Sequence, residues 1–162
     1  DLHSFPTRRS SDLSLLLRNS VHTTNPHSLS PNPVNAIYAE PDGRLWVGTV
    51  EGGLNLREKN SADFIHFTTS NSGLSHNSVS ALAADKHGRL WIGTWGGGVC
   101  VTDRKSPQKI SRLELPGEYL WRTNFVGALA NDTINDGLWI GSNAGLYYYD
   151  FTTQKIEEPF EG

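Results

Sequence analysis

Apolar and polar positions alternate along this chain in short runs, and the runs come back in order. Between Ser78 and Ala84, Val79, Ala81 and Ala83 alternate with smaller or polar neighbours, the period of a tightly packed strand. Asp85-Lys86-His87-Gly88 then reads as a turn, Arg89 to Thr94 as a second strand, and Gly96-Gly97-Gly98 as a hairpin. Val99 to Asp103 and Lys109 to Leu115 complete a meander of four strands. The same order predicts strands at 34–39, 44–49, 54–57 and 64–68 on one side, and at 126–130, 138–142, 146–150 and near 155–156 on the other. Leu15 to Thr23 reads as the outer strands of a preceding unit.

The units are copies. Asn32-Pro33-Val34, Pro41-Asp42-Gly43-Arg44-Leu45-Trp46-Val47-Gly48-Thr49 and Gly52-Gly53-Leu54 return as Asn77-Ser78-Val79, Lys86-His87-Gly88-Arg89-Leu90-Trp91-Ile92-Gly93-Thr94 and Gly97-Gly98-Val99. Trp46 and Trp91 are 45 residues apart, and Trp139, in a third copy, follows 48 residues later. A period in this range built from short strands predicts β-propeller blades. The expected fold is all-β: a partial β-propeller of about three four-stranded antiparallel blades, an open arc of an incomplete ring. The expected blades are 29–73, 74–119 and a truncated 120–162, with 14–28 as the end of a preceding blade and its linker. Residues 1–13 have no counterpart in the repeat and read as a translated sequencing-library adapter. With no Met in the chain, this is taken as a gene cut on its N-terminal side.

Composition narrows the function. The net charge of −3 carries no basic stripe, which disfavours nucleic acid as a partner. A single cysteine, Cys100, excludes an internal disulfide and a Cys-based zinc site, and it reads as an inert strand thiol. His22, His27, His66, His76 and His87 are scattered without metal-ligand spacing, so no metal and no cofactor are expected. No paired carboxylates and no Ser-His-Asp set can be assigned to one pocket, so the chain is not expected to be an enzyme. Asp42 and Asp85 read as turn residues.

The recurring D-x-x-G-x-L-W-[IV]-G-[TS] motif, followed by G-[GA]-[LV], strongly resembles the two-component regulator propeller repeat, as do the linkers Asn25 to Val34 and Leu74 to Val79. The third copy departs from it, with Asn135-Asp136 at the turn and Ala144-Gly145 for Gly-Gly. The resemblance implies a periplasmic sensor region of an inner-membrane hybrid two-component protein. An Ig-like domain, a transmembrane helix and a histidine kinase would follow the propeller. It also implies a polysaccharide breakdown product as the sensed ligand, with further blades and signalling domains of the same protein as partners and a homodimer at full length. A propeller interaction scaffold is the alternative, and a propeller lyase or glycosidase a more distant one.

Within this frame, Trp46, Trp91 and Trp139 recur and are expected in inter-blade cores rather than at a ligand. Gly48, Gly93 and Gly141 beside them are expected to let the next blade approach. Asn32, Asn77 and Asn124 precede each first strand and either cap turns or present amides toward the axis. Trp95 has Val50 and Asn143 as its counterparts, so packing of the repeat does not require it. It is expected on one face with Ser75-His76-Asn77 and with Gly117 to Asn124. The ligand-binding candidates are therefore Trp95, Tyr119, Trp121 and Arg122, with Asn77 and Asn124 as amide partners. Aromatic planes flanked by hydrogen-bonding groups suit sugar rings. The alternative is that Trp95 and Trp121 pack against each other or against a neighbouring domain.

Overall fold

The computed structural model of the chain describes residues 25–160. The adapter-like segment 1–13 and the strands expected at Leu15 to Thr23 lie outside the described residues. Twelve strands and one short helix follow in chain order. The first blade comprises β1 (Val34–Ala39), β2 (Leu45–Thr49), β3 (Gly53–Arg57) and β4 (Phe64–Phe67). The second comprises β5 (Val79–Ala84), β6 (Arg89–Thr94), β7 (Gly98–Asp103) and β8 (Ser111–Arg112). Helix α1 (Gly117–Arg122) then leads to β9 (Val126–Asp132), β10 (Gly137–Ser142), β11 (Gly145–Asp150) and β12 (Lys155–Glu157). Each set of four is one antiparallel sheet in sequence order, and the three sheets form no closed ring. The fold is a partial propeller.

One expectation needs correction. The fourth strand of the second blade shrinks from 109–115 to Ser111–Arg112, and Ile110 and Leu113 on either side of it are buried in the core. The stretch after it is a helical turn, α1, which buries none of its six residues. It therefore carries no apolar stripe for sequence reading to find.

Neighbouring blades meet through a repeated fit. A Cβ built on Gly48 would stand 2.5 Å from Cγ1 of Val79, and one on Gly93 would stand 2.6 Å from Cγ1 of Val126. Each valine opens the innermost strand of the next blade, so glycine is required where it seats. Val79 and Val126 are fully buried. The first joint gathers Trp46, Leu54, Leu56, Phe67 and Leu74 against Val79, Leu90, Ile92, Cys100 and Ile110. The second gathers Trp91 and Val99 against Val126, Leu138, Ile140 and Tyr147.

Trp46 and Trp91 occupy these cores as expected. Trp139 does not: it is half-buried, lying against Tyr148 and stacked on Phe160, because no further blade covers its sheet. Gly141 likewise has only its own sheet nearby, with Ala128 Cβ at 3.6 Å from a built Cβ.

Candidate functional site: the axial mouth

Each blade anchors its tryptophan by a carboxylate at the end of the innermost strand. The Trp46 indole donates to Glu40 at 2.7 Å and the Trp91 indole to Asp85 at 2.8 Å. Arg44 and Arg89 close the same carboxylates at 3.2 and 2.6 Å. Asp85 is thus more than the turn residue expected, because its carboxylate is buried and ties two strands together. Burial alone would raise its pKa. The backbone N–H of Arg89, the Trp91 indole and the Arg89 guanidinium outweigh that and hold it below the usual carboxylate range. Asp42 remains a turn residue, accepting the Arg44 backbone N–H at 3.0 Å. The counterpart of Asp85 is Glu40, and the signal for it was the constant offset of six residues to the tryptophan.

The hairpins between second and third strands of the first two blades are closed the same way. Thr49 and Thr94 hydroxyls donate to the carbonyls of Gly53 and Gly98 at 3.1 and 2.8 Å, whereas the Ser142 hydroxyl of the third blade donates to the Arg122 carbonyl at 2.7 Å. The linkers pin these hairpins across the joint. The Asn77 carbonyl accepts from Gly53 N–H at 2.7 Å, and the Asn124 carbonyl from Gly96 and Gly98 N–H at 3.0 Å. The Asn77 side-chain oxygen accepts from Thr69 N–H at 2.9 Å, and that of Asn124 from Arg112 at 3.4 Å. Both asparagines thus brace the loops that carry the site.

Trp95 sits on this loop face. Its N–H donates to the Ser78 carbonyl, as Val50 does to Pro33 and Asn143 to Phe125, so its backbone follows the repeat while its side chain breaks it. The ring is 48% exposed and meets Phe125 edge-on at 5.4 Å. It lines a cavity of about 400 Å³ with Asn35, Val50, Ser78, Ser80 and Gly127. Three of these residues share a cause. The pairing of innermost with second strands slips between Val34 and Ala36, between Val79 and Ala81, and opposite Gly141 and Ser142. The unpaired residues are Asn35, Ser80 and Gly127. A β-bulge re-aims the extra residue out of the sheet, and here it delivers the same repeat position from three blades to one mouth. Ser80 also ties the joint by donating to the Val126 carbonyl. Asn35, Ser80 and Gly127 escaped the sequence reading because bulges follow from register, and their side chains have nothing in common.

The other candidates lie outside this lining. Tyr119 packs edge-on against Tyr147 at 6.0 Å and joins the second core. Trp121 is 64% exposed on α1, with the Arg122 guanidinium 5.4 Å from its ring centre. Arg122 reaches Glu158 at 2.8 Å. Trp95 thus packs against Phe125. The Cys100 thiol is fully buried, hydrogen-bonded with Ser75 at 3.1 Å, and burial pushes its pKa up. Among the described residues no group of His, Cys, Asp or Glu could hold a metal ion, and no helix is long and apolar enough to cross a membrane.

The repeat has a known counterpart. A family profile described as "Two component regulator propeller" matches residues 28–51 and 73–96. The chain carries two-component regulator propeller repeats. Each match ends just past the second strand of a blade, and the third copy, with its altered turn, lies outside both. Among solved structures, the extracellular domain of BT4673 from B. thetaiotaomicron, described both as a one-component and as a hybrid two-component system, is 27% identical. It matches 83% of this chain and 18% of its own length with a TM-score of 0.69. The extracellular domain of the hybrid two-component system BT3049 from the same organism is 23% identical over 98% of this chain and 20% of its own, with a TM-score of 0.66. PorZ, a surface component of the type-IX secretion system of Porphyromonas gingivalis, shares the fold at 19% identity and a TM-score of 0.60, over 83% of this chain and 22% of its own. This chain of propeller repeats spans about a fifth of the length of these structures. No curated protein matches it.

Proposed function

We propose that this chain is the ligand-reading arc of a sensor propeller exposed outside the cytoplasm, and that it binds an oligosaccharide at the axial mouth beside Trp95. The observation that carries the reading is the coincidence of three bulged residues with Trp95, an aromatic of the loop face that the repeat does not require. Asn35 and Ser80 offer an amide and a hydroxyl, Gly127 leaves room, and Trp95 offers a half-exposed ring for stacking on an apolar sugar face. Trp121 and Arg122 extend the same reading as an outer contact on α1, with Asn77, Asn124 and Tyr119 as its supports. The role is recognition rather than catalysis. Periplasmic placement, attachment to the inner membrane, further blades and a downstream kinase belong to the same proposal, and the kinship with extracellular domains of two-component systems supports them. An interaction scaffold is the second reading, favoured by the exposure of Trp121 away from the mouth.

Calorimetric titration of the chain, and of the longer protein that carries it, against neutral and acidic oligosaccharides tests the proposal. One class should bind saturably, with affinity reduced tenfold or more by Trp95→Ala. Failure of every class to bind both forms would overturn it.

A further inference from the structure

The wall of the mouth holds a pair of polar residues that the repeat does not supply. Where Ser78 stands, the other blades carry Pro33 and Phe125. Where Glu51 stands, in the hairpin between β2 and β3, the second blade carries Gly96. Ser78 lines the cavity, and Glu51 directly follows the lining residue Val50. The two residues lock to each other across the first joint. The Ser78 hydroxyl donates to Glu51 Oε1 at 2.6 Å and accepts the Glu51 backbone N–H at 3.2 Å. Glu51 makes this lock with a φ of 61°, and its counterpart Gly96 also has a positive φ. A residue with a Cβ is strained in the left-handed region and glycine is not. Folding alone would favour glycine at Glu51, so the carboxylate is held there against the local preference.

The proton count sets the chemical character of the mouth. A serine has one proton to donate. That of Ser78 goes to Glu51, and that of Ser80 goes to the Val126 carbonyl. Both hydroxyls therefore meet a ligand as acceptors. Glu51 Oε1 is taken by Ser78, and Oε2 has no bond among the described residues. The side-chain donors left at the mouth are the Asn35 amide and the Trp95 indole, both uncharged. No lysine, arginine or histidine is among the described lining residues. His76, nearby in the linker, turns to the backbone, its Nδ1 accepting the Ser78 N–H at 3.0 Å. A wall rich in acceptors, with a carboxylate beside it, suits a ligand that brings hydroxyl protons. It repels one that brings a carboxylate or a sulfate.

We infer that the ligand is a neutral oligosaccharide and that Glu51 sets this choice, accepting sugar hydroxyls and repelling anionic sugars, an assignment that rests on the sugar site beside Trp95. Glu51 is then a specificity-determining residue, and Ser78 positions its carboxylate.

Matched pairs of oligosaccharides test this by calorimetric titration of the chain and of the longer protein that carries it. Each pair shares one linkage pattern and differs in holding a neutral hexose or the corresponding uronic acid. The neutral member should bind about tenfold tighter or more, and the gap should shrink in high salt. Glu51→Gln keeps an oxygen for the Ser78 hydroxyl and removes the charge. It should narrow the gap about threefold or more, through tighter binding of the acidic member. Glu51→Gly restores the residue of the second blade. It should melt no earlier than the wild type and bind the neutral member about threefold more weakly or worse. An acidic member bound as tightly as its neutral partner would overturn the assignment, as would a gap unchanged in Glu51→Gln. Normal binding of the neutral member by Glu51→Gly would overturn it too, and would make Glu51 a brace of its loop. If neither member of any pair binds, the sugar site itself fails and the assignment falls with it.

Discussion

At the joint between the first and second blades, Arg104 reaches back to Tyr38, to Glu40 and to the Asp85 carbonyl, at 3.0–3.2 Å. At the joint between the second and third, the equivalent Phe151 lies parallel to Trp91, with the Arg89 guanidinium 4.4 Å from its ring centre. One seal is a web of charge-assisted hydrogen bonds and the other is an aromatic stack with a cation on it. Beneath both, a valine enters a glycine socket. The difference separates two tasks. The recurring pair fixes how blades approach, and the variable position after the third strand decides what chemistry holds the rim shut.

The largest effect should come from emptying the core that the second seal covers. Trp91→Ala should cost roughly 3–5 kcal/mol in a denaturant melt. Trp139→Ala, at the equivalent but half-buried position, should cost clearly less. Equal losses would mean that burial in the joint is not what the tryptophan supplies. The sockets come next. Gly93→Ala places a methyl against Val126 and Ala81 and should destabilise by about 1–3 kcal/mol through overpacking. Gly141→Ala, measured in dilute chain, meets only an ordinary contact and should be nearly neutral.

The rim residues give the sharpest chemical contrast at smaller size. Phe151→Ala and Arg104→Met should each cost about 1–2 kcal/mol, from lost apolar burial and from lost hydrogen bonds to a charged group. The cost of Arg104→Met should shrink in high salt, and that of Phe151→Ala should not. Salt dependence in both would erase the distinction between the seals.

Acid titration gives the smallest effect. The folded pKa of Asp85 is lowered, so its contribution is complete above its unfolded value of about 3.9 and is lost as pH falls through the lower folded value. Thermal melts should therefore weaken below about pH 4, and Asp85→Asn should flatten that slope.

Much of this was legible from alternation and recurrence. The twelve strands of the described residues were anticipated, the eighth longer than it is, since a half-buried strand writes period two into the sequence and a repeat writes it several times. The joints were legible because Trp, Gly and Val return at fixed offsets. What failed to show has physical reasons. Helix α1 is six residues with none buried, so no periodicity marks it. Glu40 was hidden by Asp42, two positions later, which offers a nearer aspartate beside the turn glycine Gly43. The bulged trio Asn35, Ser80 and Gly127 is set by strand register, which side-chain type does not record. Trp95 was visible because it breaks a pattern that its neighbours keep, while the cavity beside it needed three blades in place.

The central claim is that residues which recur hold the arc together and that Trp95, which breaks recurrence at the mouth, reads a ligand. The most direct test measures Trp95→Ala and Trp91→Ala side by side, each by thermal melt and by calorimetric titration with the oligosaccharide class that binds the wild type. Trp95→Ala should melt with the wild type and lose binding by about 1–3 kcal/mol, as for a stacked aromatic hot spot, while Trp91→Ala should melt early. If Trp95→Ala binds normally, or melts as early as Trp91→Ala, the account is contradicted and Trp95 is a packing residue like the others.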